Sequence, residues 1–392
     1  MFDRDITDYI KYSAKYYPVV TVTGPRQSGK TTLVKMIFSD KPYVSLEDVD
    51  IREFAKKDPR GFLSTYSQGA IIDEVQYCPD LFSYIQTKVD NDQIAGQFIL
   101  TGSQNFLLLE SISQSLAGRA AIVYLLPLSH NEINSKLPVT GEPLNFIFKG
   151  FYPKLYTQDL LPTIWYRNYI RTYIERDVRQ LKNITDISTF QTFLKICATR
   201  IGQLVNFSSI ATECGVSYNT VKSWLSLLQT SFIIYLVKPH HKNYNKRLVK
   251  QEKLYFYDTG LACTLLGLES IEQLEKYYAK GSLFENMIVV EILKNRLNKG
   301  QEEGIYFWRD SHGHELDILI ESNTLTPIEI KASKTIIQEF FKGINYWNNL
   351  AGQANGYIIY AGTTEQIRGN IEVLPWNKIN KIITSVSPKT PT

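Results

Sequence analysis

Val19-Val20-Thr21-Val22-Thr23-Gly24-Pro25-Arg26-Gln27-Ser28-Gly29-Lys30-Thr31-Thr32 is the stretch that decides the fold. It opens as a run of β-branched residues suited to a strand buried on both faces, then passes without a gap into G-x-x-x-x-G-K-[ST]. Thr31 to Phe38 follow with helical spacing. A glycine turn between buried strand and helix aims a row of backbone N–H groups from the positive end of the helix, which is the cradle a polyphosphate needs. Gly24, Pro25, Arg26, Gln27, Ser28, Gly29, Lys30, Thr31 and Thr32 are therefore the candidate nucleotide-binding residues. Lys30 is expected to reach the β- and γ-phosphates and the Thr31 hydroxyl to bind Mg²⁺, so ATP and Mg²⁺ are the expected ligands.

Some forty residues on, Ala70-Ile71-Ile72-Asp73-Glu74 reads as an apolar strand that ends in two acids. Asp73 is expected to hold the magnesium through water and Glu74 to polarise the attacking water, an acid-base role on the γ-phosphate. A third strand, Gln97 to Leu100, runs into Thr101-Gly102-Ser103. Ser103 is a candidate γ-phosphate sensor or water-orienting group, with Gln104 and Asn105 as rivals and a helix cap as the plainer role. Arg119 is a candidate for stabilising charge on the transferred phosphate, in its own subunit or in a neighbouring copy of a homo-oligomer; a solvated surface arginine is the alternative.

At 392 residues the chain exceeds the size at which one core keeps growing, so two or three domains are expected. A formal net charge of +4 permits nucleic-acid contact without demanding it. Cys78, Cys197, Cys214 and Cys263 are far apart and include no C-x-x-C pair, which argues against a zinc site and a disulfide framework. Asp3, Arg4 and Asp5 stand where a signal peptide would need a basic end and an apolar run. No stretch reaches the roughly 18 to 20 apolar residues of a membrane span. A soluble protein of the cytoplasm, without a membrane partner, is the expectation.

Strands alternating with helices through about Glu132 predict an α/β fold with a parallel sheet covered on both faces. Leu161 to Leu181 is then helical and rich in aromatics and arginines, Arg171, Arg176 and Arg179 among them. Ser208 to Val221 has the grammar of a helix-turn-helix, with Gly215 in the turn and Ser217 capping the second helix. Val221, Leu225 and Leu228 make its buried stripe, leaving Tyr218, Asn219, Lys222 and Ser223 for a groove of double-stranded DNA. Two short strands, Phe232 to Val237 and Leu254 to Tyr257, enclose a basic loop, Lys238 to Lys250, where the wing of a winged helix would lie. Such loops also serve as protein contacts or are simply solvated.

The last section carries a second constellation. Glu315-Leu316-Asp317 opens one strand and Glu329-Ile330-Lys331 lies on the next, so a hairpin would bring Asp317 beside Glu329 and Lys331. With Glu285 from the preceding helix, this is the layout of a metal-dependent nuclease site of the D…E-x-K type, in which the acids bind Mg²⁺ and the lysine steadies hydroxide. A salt-bridged surface or a degenerate nuclease fold is the alternative. His312 and His314 flank the site, where a polar loop accounts for them equally well.

Read in order, GPRQSGKTTL, AIIDEVQ, FILTGSQNFLL, SLAGRAAIVYLLPLSHNEI, GFYPKLY, YIERDVRQL, YFYDTGLACTLLG, GSLFENMIVVEILK, FWRDSHGHELDILIE and PIEIKASK make the chain resemble a widespread prokaryotic group of AAA-type P-loop ATPases. Their C-terminal half is a domain of unknown function. The resemblance implies an AAA-type nucleotide domain over residues 1–135, a helical linker and winged helix over 136–265, a restriction-endonuclease-like α+β domain over 266–375, and a tail over 376–392. It places Lys30, Thr31, Asp73 and Glu74 at the family's nucleotide positions and Asp317, Glu329 and Lys331 at its nuclease-like positions. It also implies a nucleotide-driven switch in preference to a processive motor.

Overall fold

The computed structural model describes residues 2–103, 112, 114–137, 141–174, 186–240 and 249–382. Gln104 and Asn105, the middle of the basic loop (241–248), Arg176 and Arg179, and the tail from 383 lie outside the described residues.

The first sheet is parallel and holds five strands, β1 (Val19–Thr23), β2 (Tyr43–Ser45), β3 (Ala70–Asp73), β4 (Phe98–Gly102) and β5 (Ala120–Tyr124), in the order β2-β3-β4-β1-β5. All residues of β1, β3 and β4 are buried, because helices cover both faces. Alternation along β1 sends Val20 and Val22 into one apolar layer, with Ile6, Ile10, Leu33 and Val34, and Val19 into the other, with Phe62, Phe82 and Ile85. The order matters for chemistry. β4 lies between β1 and β3, so the ends of the three strands line up as Thr23-Gly24, Gly102-Ser103 and Asp73-Glu74 along one edge.

The second sheet has eight strands in the order β12-β13-β11-β10-β9-β8-β6-β7. They are β6 (Ile234–Pro239), β7 (Lys253–Phe256), β8 (Ile305–Arg309), β9 (Glu315–Glu321), β10 (Leu325–Lys331), β11 (Gly356–Tyr360), β12 (Gln366–Arg368) and β13 (Ile371–Pro375). The two strands expected to enclose a wing are thus hydrogen-bonded into the C-terminal sheet, through Lys238 opposite Tyr306 and Pro239 opposite Phe307. The helix Lys342–Ala351 packs Ile344 and Trp347 on one face of this sheet, against Ile358 and Tyr360, while Ile359 points to the other face.

The 19-residue helix Lys280–Asn298 has no solvated face over most of its length: Asn286, Glu291, Lys294 and Asn295 are buried along with its apolar residues. Asn286 and Lys294 reach partners outside the helix. Asn286 pairs with both the N–H and the carbonyl of Phe256 at 2.7 and 2.8 Å, and Lys294 donates to the Leu128 carbonyl at 2.8 Å. The helix-turn-helix forms as read, from Phe207–Cys214, Gly215 at φ +67° and Tyr218–Thr230 capped by Ser217. Among the described residues no helix is long and apolar enough to cross a membrane.

Candidate functional site

The loop after β1 is held tightly against its neighbours. Gly24 has φ +150°, and a Cβ there would lie 2.2 Å from the Leu125 carbonyl oxygen, so only glycine lets the chain turn beside the end of β5. Gly29, at φ +96°, starts the helix Lys30–Ile37. Lys30 is buried, and its ammonium donates to the carbonyls of Gly24 and Pro25 at 3.0 and 2.9 Å. Burial lowers the Lys30 pKa to about 8, against the opposing pull of Glu74. Arg4, which no local motif ties to the nucleotide loop, fixes the loop from outside: it donates to the carbonyls of Ser28 (2.9 Å) and Leu126 (2.7 Å) and pairs with Glu132 at 3.1 Å.

Asp73 accepts from three hydroxyls. Thr31 reaches its Oδ2 at 3.0 Å, Tyr43 reaches the same oxygen at 2.8 Å, and Thr101 bonds Oδ1. Tyr43, on the edge strand β2, carries no local motif, and its role shows only once β2 pairs with β3. A threonine hydroxyl and a carboxylate in direct contact form a hard, all-oxygen donor set, and these residues fit Mg²⁺. Glu74 has φ 53°, an uncommon conformation for a residue with a side chain, which turns its carboxylate back over the strand ends. There Ser103 donates to Oε2 at 3.2 Å and the buried Gln76 amide donates to the same oxygen.

These groups open onto a cavity of about 890 Å³. Arg26 to Leu33, Glu74 and Ser103 line it together with Phe2, Leu128, Pro153, Lys154 and Thr157. Leu128, Pro153, Lys154 and Thr157 come from segments after the parallel sheet, so the lining is drawn from two parts of the chain.

Arg119 does not join them in its own subunit. It precedes β5, whose first residue pairs with Val19, and so lies at the edge of the sheet opposite to the loop. Its guanidinium pairs with Asp90 through two contacts, at 2.5 and 2.9 Å.

In the C-terminal sheet Asp317, Glu329 and Lys331 are brought together as the hairpin spacing predicts. Lys331 pairs with Asp317 at 3.0 Å and with Glu329. Glu285 comes close too, but its carboxylate accepts from the Tyr255 hydroxyl at 2.5 Å and pairs with Lys253 at 3.4 Å. Burial and the neighbouring Asp317 push Glu329 well above the ordinary carboxylate range. Burial works against the charged form of Lys253, but Glu285, Asp317 and Glu315 outweigh it and raise its pKa. Among the described residues no three His, Cys, Asp or Glu side chains gather as a metal-binding group, and Glu285 in particular is turned to Tyr255 and Lys253. His314 stacks on Tyr346 with ring centroids 4.0 Å apart and pairs with the buried Asp310 at 2.9 Å, which gives it a structural place in the turn before β9.

Tyr218, Asn219 and Lys222 are exposed on the second helix of the helix-turn-helix, with Ser223 half-buried. A groove of about 690 Å³ runs beside them, lined by Phe207, Tyr218, Lys238 and Lys250 among others.

Comparison with known proteins agrees with the P-loop fold. A family model described as an AAA domain matches residues 16–134. Two domains of unknown function match the remainder, DUF8612 over residues 143–272 and DUF4143 over 280–379. Uncharacterized proteins of Mycobacterium bovis and Mycobacterium tuberculosis are each 30% identical over 338 residues, covering 85% of this chain and 74% of theirs. An uncharacterized protein of Haemophilus influenzae is 21% identical over 322 residues, covering 74% of this chain and 75% of its own. Among solved structures, the Walker-type ATPase PABY2304 of Pyrococcus abyssi aligns with 14% identity and a TM-score of 0.46, covering 68% of this chain and 96% of that one. With its P-loop sheet, its AAA-domain match and its C-terminal DUF4143 domain, the chain belongs to the AAA-type P-loop ATPase family.

Proposed function

We propose that the protein binds ATP with Mg²⁺ at the loop Gly24 to Thr32, hydrolyses it, and uses the cycle as a conformational switch. Residue roles follow from the contacts. The loop amides and Lys30 hold the phosphates, and Thr31 and Asp73 would hold the metal, which when bound neutralises charge on the β- and γ-phosphates. Glu74, set by Ser103 and Gln76, takes a proton from the attacking water as the bond to ADP breaks and phosphate leaves. Tyr43 keeps the Asp73 carboxylate facing Thr31.

The observation that carries the switch is the two-part cavity. Pro153, Lys154 and Thr157 line the same cavity as the loop, so a nucleotide held there would have an affinity that depends on how closely these residues approach. Phosphate release measured on the full chain tests the reading. Turnover should fall to background in Lys30→Ala and in Glu74→Gln, and Glu74→Gln should still bind nucleotide. Equal turnover in wild type and both variants would refute it.

A second reading, that the switch acts on double-stranded DNA, is favoured by the exposed Tyr218, Asn219 and Lys222 beside a groove bordered by Lys238 and Lys250.

A further inference from the structure

Residues 299–304, KGQEEG, join the helix Lys280–Asn298 to β8. Gly300, at φ +69°, turns the chain out of the helix, and a Cβ on it would lie 2.3 Å from the ring of Tyr9 in the first helix, Thr7–Tyr16. The linker backbone is thereby set against that ring. Arg296 holds its other end, donating to the carbonyls of Glu302 and Glu321 at 2.9 and 3.0 Å. Gln301, Glu302 and Glu303 then line a cavity of about 560 Å³, together with Tyr9, Tyr124, Tyr235 and Tyr306. These tyrosines come from the first helix, β5, β6 and β8, and Gln229 adds the second helix of the helix-turn-helix, so the nucleotide sheet, the helix-turn-helix and the C-terminal sheet all contribute.

The lining offers acceptors that lack donors. Gln301 Oε1 is buried and has no hydrogen-bond partner among the described residues. Glu303 Oε2 accepts from the Tyr235 hydroxyl at 3.2 Å. Glu303 keeps an exposed surface, yet burial around its carboxyl pushes the pKa above the ordinary carboxylate range, against the opposing Tyr235 and Lys238. The same carboxylate adds to burial in raising the phenols of Tyr124 and Tyr235, so its field reaches both rings. Lys238 is the one cation among the lining residues, and two carboxylates against it leave one negative charge. A cation placed between carboxylates and phenol rings is attracted by charge and by the ring quadrupoles, and an ammonium also brings the N–H donors these acceptors lack. No metal-binding group of three His, Cys, Asp or Glu gathers among the described residues, and the volume lies within the roughly 300–1,000 Å³ of small-molecule sites, which favours an organic cation over a bare ion.

We propose that this cavity binds an organic cation of the alkylammonium class: Glu302 and Glu303 take the charge, Gln301 accepts an N–H, and the tyrosines cover the alkyl chain. A free polyamine and the lysine side chain of a partner protein present this same chemistry. The site lies apart from the nucleotide loop and goes beyond the ATPase reading without depending on it. A cation bound there touches residues from all three parts of the chain.

Calorimetric titration of the full chain without nucleotide, with spermidine and separately with acetyl-lysine methylamide, tests the proposal. Saturation of one site per chain by spermidine assigns the cavity to a free polyamine, and saturation by the lysine amide assigns it to a protein side chain; saturation by neither overturns the proposal. The cation that binds should lose about tenfold in affinity in Glu303→Gln, the worth of one charge-assisted hydrogen bond. It should gain severalfold in Lys238→Met, which removes the competing ammonium. Affinity unchanged in Glu303→Gln, or lowered in Lys238→Met, would overturn the proposal. Should these variants not fold, octanediol decides on the wild type: an uncharged chain of similar length should not bind, and affinity equal to that of the cation would show that charge is not what the cavity reads.

Discussion

Asp73 is the carboxylate assigned to the metal in the proposed site. Three hydroxyls converge on it, and two of them, Thr31 and Tyr43, share a single oxygen. Tyr43→Phe removes one of these bonds and nothing from the nucleotide loop. Half-maximal turnover should therefore need about fivefold more Mg²⁺, the equivalent of roughly 1 kcal/mol for one hydrogen bond, with turnover at saturating Mg²⁺ little changed. An unaltered Mg²⁺ titration would remove Tyr43 from the site. Lys30 gives a second test. Its pKa of about 8 lies below the ordinary lysine value because the ammonium is buried, so the free protein sheds this proton as pH rises through 8. A triphosphate beside it favours the charged form and restores the proton. Binding should therefore take up roughly half a proton per ATP at pH 8, little below pH 7, and affinity should fall as pH rises further. Calorimetry in buffers of different ionisation heat checks this; zero uptake at pH 8 would contradict it. Lys30, Thr31, Asp73 and Glu74 were legible in the sequence because each sits at a fixed offset from a strand end. Tyr43, Arg4 and Lys253 were not, because their partners lie 24 or more residues away and no local pattern marks them.

At the scale of elements, the buried strands and the helix-turn-helix could be read from period and punctuation alone. The strand order could not, since nothing local says that β4 comes between β1 and β3 and so delivers Ser103 to Glu74. Nor could the fate of β6 and β7, which look like a free hairpin in sequence and are joined to β8 by pairing over a long separation. This joining bears on the DNA reading, because a strand pair bound into a sheet cannot move independently of it. The recognition face then reduces to the second helix and the groove next to it. Band shifts on duplex DNA at graded salt should show affinity falling steeply, and Lys222→Ala should lower the slope of log K against log salt by about 1. Binding indifferent to salt, or unaffected by Lys222→Ala, would assign this face to protein contact.

At the scale of the whole molecule, the nucleotide loop and the C-terminal sheet are connected through one helix. Arg4 ties Ser28 to Leu126 and Glu132; two residues on, the Leu128 carbonyl takes Lys294, and the His130 N–H donates to Glu291 at 2.8 Å. Glu291 and Lys294 belong to Lys280–Asn298, the helix that also presents Glu285 to Lys253. Six residues of helix separate Glu285 from Glu291, roughly 9 Å, so this one helix joins the two ends of the chain of contacts. A packed, two-ended connection of this kind is what a switch requires, and it depends on ATP occupying the loop. The most direct measurement is calorimetric titration of ATP with Mg²⁺ into the full-length Glu74→Gln protein, which removes turnover and keeps the cradle. One saturable site per chain, abolished by adding Lys30→Ala, is the predicted result; no heat and no saturation, or binding that survives Lys30→Ala unchanged, would contradict the account.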